Sequence, residues 1–83
     1  MELEKKIELC KYKLICYALN KENININAEY YNYSQLISSK MENQEITLKL
    51  LNYAILITKN DTYLLKFNKN TKEYEEIEIL NFE

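Results

Sequence analysis

The chain has 83 residues and a formal net charge of −2, set by 11 basic residues, all Lys, against 13 acidic ones, and it contains no Gly, Pro, His or Trp. This length supports one hydrophobic core, because surface scaling gives roughly 5,200 Å² exposed when folded against about 14,500 Å² unfolded, so that about 64% of the surface can be buried. The charge balance argues against a nucleic-acid clamp; the missing Gly leaves no phosphate-cradling loop, and the missing His and Arg remove the commonest general base, the commonest transition-metal ligand and the bidentate guanidinium fork.

Residues 2 to about 21 are the clearest element. Leu3, Ile7, Cys10, Leu14, Tyr17 and Ala18 fall within a sector of roughly 100° on a helical wheel, a stripe expected to face the core. Leu9, Tyr12, Cys16 and Leu19 form a second stripe on the far side, set apart by Lys6 and Lys13 along one flank and by Glu4, Glu8 and Lys11 along the other. A helix in a two-layer domain needs one apolar face, so the second stripe has to be covered by another segment, by a second copy or by a partner. Cys10 and Cys16 lie about 9 Å apart along this helix, beyond the ~7 Å Cα separation that a disulfide allows, so both are expected to be free thiols in structural positions. They supply two of the four ligands that a structural zinc site needs, and no metal is expected.

Without Gly or Pro, helix ends and turns fall to Asn and Asp, which tolerate the left-handed region and bond their own backbone. Asn20 and Asn23 mark the end of the first helix, and residues 23–27 alternate polar and apolar as an extended connector or short strand. Asn27 is the expected N-cap of a second helix over about 28–41, with Glu29 in its first turn and Tyr33, Leu36, Ile37 and Met41 at helical spacing. Tyr30, Tyr31 and Tyr33 cannot all be exposed on one helix, and Tyr33 is the one expected to turn inward.

From about residue 46 the pattern alternates: Ile46, Leu48 and Leu50, then Tyr53, Ile55 and Ile57, with the face switching near Leu51 and Asn52. A continuous helix over 42–58 is the rival reading; the short Asn60-Asp61 turn between two apolar runs favours strands. A two-residue turn there pairs Leu56 with Leu65 and Ile57 with Leu64, makes both faces of the hairpin apolar, and implies cover on part of each side. A second turn at 68–71 leads to a last strand over about 73–80. The plan is α+β in one domain over 1–83: one long N-terminal helix, a second helix, then an antiparallel β-meander of three or four strands.

Catalysis is not expected, since the usual nucleophile–base pairs are missing and a carboxylate pair would have to come from Glu75 or Glu78 with a strongly raised pKa in a cleft. No cofactor is implied. Function then resides in surfaces, and two partner-binding patches stand out: the acidic residues Glu73, Glu75, Glu76 and Glu78, suited to a basic surface on another protein, and the tyrosines Tyr30 and Tyr31. The four Glu also serve as protection for a strand edge. The alternative is a homodimer in which Leu9, Tyr12, Cys16 and Leu19 form a helix–helix seam. Neither direct nucleic-acid binding nor membrane association is expected, and the lack of an apolar run near 18 residues points to the cytoplasm. The abundance of Lys, Asn, Ile and Tyr suggests an AT-rich genome. The expected setting is therefore a phage or mobile-element accessory protein, acting in the host cytoplasm and inhibiting a host nucleoprotein or defence nuclease by surface occlusion, as anti-CRISPR inhibitors do.

Overall fold

The computed structural model describes residues 1–82. Two helices, α1 (Leu3–Lys21) and α2 (Ile26–Ser34), precede five strands: β1 (Ser38–Glu42), β2 (Glu45–Leu50), β3 (Tyr53–Ile57), β4 (Thr62–Asn68) and β5 (Glu73–Ile79). The strands form one antiparallel meander in the order β1-β2-β3-β4-β5, so the fold is α+β, with one strand more than the upper expectation of four.

Helix α1 ends as the Asn-rich sequence anticipates. Asn23 takes a φ of 57°, the Ile24 N–H donates to the Leu19 carbonyl at 2.9 Å, and the Asn23 N–H donates to the Asn20 carbonyl at 3.2 Å. These are the two bonds of a Schellman motif, with Ile24 and Leu19 meeting in the same apolar cluster. The buried face of α1 comprises Cys10, Leu14, Ile15, Ala18 and Leu19. It is rotated from the expected stripe: Leu3 is exposed, Ile7 and Tyr17 are half-buried, and the core gains Ile15 from between the two stripes and Leu19 from the second. The cause is α2, which packs on α1 and adds Ile26, Tyr30 and Tyr33 to the cluster.

The second helix starts and stops earlier than expected. Its N-cap is Asn25, not Asn27: Asn25 Oδ1 accepts from the N–H groups of Asn27 at 2.9 Å and Ala28 at 3.3 Å. The helix ends at Ser34, whose hydroxyl bonds back to the Tyr31 carbonyl at 2.7 Å. Leu36, Ile37 and Met41 therefore lie outside it, and 38–42 pairs with β2. The run at 33, 36, 37 and 41 fits a helix, but Ser38 and Ser39 are poor helix interiors, and pairing with β2 satisfies their backbone instead.

Residues 45–50 and 53–57 are strands, and the β3–β4 register differs from the expected one by two. Ile57 pairs with Thr62, Leu56 with Tyr63 and Ile55 with Leu64. The loop is four residues long because Thr58 closes it: its N–H and its hydroxyl both donate to the Asp61 carbonyl, and its Oγ1 accepts from the Asp61 N–H. A shift of two leaves every side chain on its assigned face.

One face of the sheet packs on the helices. Ile46, Leu48, Leu50, Tyr53, Ile55, Ile57 and Leu64 join the α1 residues in a single core, with the Tyr17 and Tyr53 rings edge-on at 5.2 Å. The other face has no helix over it. Along its central row Lys49 pairs with Ala54, Ala54 with Leu65 and Leu65 with Glu76. Ala54 is still only 1% exposed, because its neighbours cover it: Lys49 Nζ lies 5.3 Å from the Tyr74 ring, and Tyr74 stands edge-on to Phe67 at 5.2 Å. The expected cover of both faces is thus replaced on the open one by its own side chains. The molecule is a plate of 33 × 32 × 21 Å, with a surface of 6074 Å² that exceeds the roughly 5,200 Å² of an average protein of its mass.

Candidate interaction surface

Strand β5 is an outer strand of the sheet, paired only with β4. Its residues are exposed except Tyr74. The register divides its carboxylates: Glu75 pairs with Lys66 and Glu78 with Leu64 on the helix-side face, while Glu76 pairs with Leu65 on the open face. A bulge between Leu64 and Leu65 leaves Ile77 without a counterpart and resets the alternation. Without it, a strand spelled Glu-Glu-Ile-Glu would not set Glu76 and Glu78 on opposite faces. The sequence carries no turn residue or break in alternation that would have revealed it.

None of these carboxylates is in an ion pair among the described residues, although Lys66 stands opposite Glu75 across the strands. The ion pairs among the described residues are Lys11–Glu8 at 3.7 Å and Lys40–Glu42 at 3.0 Å, both away from β5. Glu75 accepts a hydrogen bond from Asn68 Nδ2 at 2.7 Å, which ties it to the β4–β5 turn. That turn is organised by the same Asn68, whose Oδ1 accepts from the Asn70 and Thr71 N–H groups and whose carbonyl accepts from the Lys72 N–H at 2.7 Å.

The tyrosines of α2 separate as the helix geometry requires. Tyr31 is 73% exposed, Tyr33 packs against the core, and Tyr30 lies half-buried with its ring 5.7 Å from that of Tyr12. The second stripe of α1 is exposed only in part. Leu19 is wholly enclosed, Tyr12 is capped on one side by Tyr30, and the exposed remainder is Leu9, Tyr12 and part of Cys16.

Sequence reasoning missed the groove that joins these features. A cavity of about 310 Å³ opens between α1 and the end of β5, lined by Tyr12, Lys13, Cys16, Tyr17, Asn20, Leu64, Glu78 and Leu80. Tyr12 thus touches Tyr30 on one side and shares a groove with Glu78 on the other, linking the tyrosine patch to the acidic strand. The Tyr12 phenol is held above its ordinary pKa, first by a hydrogen bond with Cys16 and then by the charge of that same group. Both cysteines are free thiols, Cys10 buried and Cys16 at the groove. Burial pushes the Cys10 thiol up to about 11, against the opposing pull of Lys6 and Lys13.

No group of three or more His, Cys, Asp or Glu among the described residues is arranged to hold a metal ion, and no described helix is long and apolar enough to cross a membrane. No family model, no curated protein and no solved structure matches this chain.

Proposed function

We propose that this chain is a non-enzymatic binding module that occludes a basic, nucleic-acid-handling surface on a larger protein. The observation that carries this is the outer strand β5, with Glu73, Glu75, Glu76 and Glu78 exposed and none of them in an ion pair among the described residues. Four charges over five residue steps of about 3.4 Å are spaced by roughly 6 Å on average, a like-signed row of the same order as the one charge per 3.4 Å of a single nucleic-acid strand. A groove built for phosphates therefore accepts this edge, and its Lys and Arg side chains find the partners that the chain itself withholds. Tyr31, exposed on α2, and Tyr12, at the groove beside Glu78, supply apolar contact next to the charge. A small phage or mobile-element inhibitor of a host nuclease fits this surface.

The test is affinity capture from the native host with mass-spectrometric identification, run in parallel with a variant carrying Glu73→Gln, Glu75→Gln, Glu76→Gln and Glu78→Gln. The expected result is a nucleic-acid-binding protein retained by the natural chain, released by salt or competing DNA, and absent from the variant. Equal capture by both chains, or turnover of a substrate by the pure protein that one Glu→Gln change abolishes, would overturn this function.

A further inference from the structure

We propose that strand β1 adds edge to edge to β1 of a second copy, across a two-fold axis that passes through Ser39 perpendicular to the sheet. The two outer strands of the sheet differ in what protects them. Strand β5 carries Glu73, Glu75, Glu76 and Glu78, and its register with β4 is broken by a bulge, both of which keep an edge from pairing. Strand β1 has neither device. Its register with β2 runs unbroken, and its two charges neutralise each other, Lys40 Nζ lying 3.0 Å from a Glu42 carboxylate oxygen. All five of its residues are exposed, so neither helix lies over this edge.

Hydrogen-bond parity fixes which residues meet. The two-residue turn at Asn43 and Gln44 makes Glu42 and Glu45 a bonded pair, so the N–H and C=O of Ser38, Lys40 and Glu42 point at β2. Those of Ile37, Ser39 and Met41 point outward, and a second β1 can bond only through its own outward residues. The segment Leu36-Ile37-Ser38-Ser39-Lys40-Met41-Glu42 is its own complement when reversed, because Ile37 and Met41 are equidistant from Ser39. Centred there, Ser39 bonds to Ser39 and Ile37 to Met41 in both directions, with about six backbone hydrogen bonds. Met41, 69% exposed, then packs on the second copy's Ile37, and Leu36, 63% exposed, lies along its Glu42. Other registers fit worse. Centring on Lys40 opposes Lys40 to Lys40, centring on Met41 runs into the turn at Asn43 after one residue, and centring on Ser38 leaves Met41 outside the paired stretch.

A contact one strand wide buries well under the ~800 Å² per partner of a stable complex, so this dimer exchanges fast and is populated on the order of hundreds of micromolar. Joining the two sheets leaves both acidic β5 strands at the far ends of one continuous sheet, roughly 40 Å apart at the usual strand spacing of about 4.8 Å.

Sedimentation velocity and amide hydrogen exchange on the purified chain, from roughly 20 μM to about 1 mM, read this out. The mass average is expected to rise from 10.0 kDa toward twice that value. The amides of Ile37, Ser39 and Met41 exchange about threefold more slowly at the top concentration, while those of Ser38, Lys40 and Glu42, bonded to β2, are protected throughout. Ser39→Pro removes an outward N–H that β2 does not use, so the chain keeps its circular-dichroism spectrum and stays monomeric. Met41→Ser weakens association by about tenfold, since the apolar contact is lost twice. If Ser39→Pro fails to fold, the exchange pattern of the natural chain decides the matter. A natural chain that stays at 10.0 kDa at the top concentration, a dimer that Ser39→Pro leaves intact, or association without slowing at residues 37, 39 and 41 would overturn the proposal. Because β5 takes no part in the contact, such a failure leaves the role proposed for that strand untouched.

Discussion

The two faces of the sheet are both apolar along β3 and β4, yet they are built from different side chains. The helix-side face is mainly aliphatic, with Ile46, Leu48, Leu50, Ile55, Ile57 and Leu64 and the one aromatic Tyr53, all buried in the core shared with α1. On the open face the half-buried residues include Leu56, Tyr63, Leu65, Phe67 and Tyr74, with Lys49 laid over Tyr74. Aliphatic side chains have no polar end to leave in water and need a dry cover. Tyr and Lys lie flat across a surface and keep a hydroxyl or ammonium outside, so together they shield a small residue such as Ala54 without a second layer. The Tyr63 hydroxyl illustrates this, donating to Asp61 Oδ2 at 3.2 Å while its ring stays on the sheet. An apolar strand pattern therefore does not by itself say whether a face is covered by another element or by its own side chains.

Truncation on the two faces gives the sharpest contrast. Leu14 and Ile55 are completely enclosed, and Leu14→Ala or Ile55→Ala is expected to cost about 3 kcal/mol, the lost transfer energy plus a cavity that the neighbouring side chains only partly fill. Leu65→Ala, on the half-buried open face, is expected to cost about 1 kcal/mol. Urea unfolding of the three variants in dilute solution checks this. Equal losses would mean that the open face is a true core surface and that the comparison fails.

Cys10 carries the contrast into pH. Its thiol lies wholly within the core and stays protonated up to about 11, against an ordinary value of 9.0. The folded state holds this proton more tightly than the unfolded one, so the associated stability is fully present below pH 9 and is lost as the pH rises toward 11. The loss is on the order of 2 kcal/mol for this group. Melting temperatures between pH 8 and 11 are expected to fall more steeply for the natural chain than for Cys10→Ala. The half-buried Cys16 reacts with a thiol reagent in the native state, while Cys10 reacts only on unfolding.

Thr62 is the polar exception on the helix-side face, with its Oγ1 buried and without a hydrogen-bond partner among the described residues. Thr62→Val replaces a desolvated hydroxyl by a methyl group of nearly the same shape and is expected to stabilise the fold by about 1 kcal/mol in chemical denaturation. A loss instead would show that the hydroxyl is satisfied in solution.

Much of this arrangement is legible in the residue pattern, and the failures have identifiable causes. The first helix, its end at Asn23 and the strand character beyond residue 45 follow from period and turn chemistry. The missed strand β1 does not, because Tyr33, Leu36, Ile37 and Met41 have a helical spacing that β2 overrides by offering its edge. The β3–β4 register was displaced by a side chain, Thr58, whose bonds to Asp61 lengthen the loop. Of the candidate surfaces, the acidic strand is visible as a cluster of Glu, but its distribution over two faces depends on a bulge. The second stripe of α1 loses Leu19 to the core, a tertiary fact that no wheel contains.

The turns hold the smallest expected effect, and they set two hairpins against each other. Without glycine, left-handed backbone falls on Asn23 and Asn43, as the tolerance of Asn suggests, but also on Gln44, Leu51 and Lys72. The β1–β2 turn uses Asn43 and Gln44 at φ values of 52° and 64°, the pair of positive angles that matches the twist of a hairpin. The β2–β3 turn puts Leu51 at a φ of 55°, where its Cβ crowds the backbone and nothing on the side chain bonds in return. Leu51 is 47% exposed, so a substitution there disturbs little packing. Leu51→Asn is expected to stabilise the fold by about 0.5 kcal/mol, a rise of roughly 2–4 °C in melting temperature for a chain of this size. Leu51→Gly is expected to gain less, because the more flexible unfolded chain offsets part of the relief. If both variants lower the melting temperature, Leu51 is held by contacts of its own side chain, and the strain at this turn is offset by packing on the rim of the sheet.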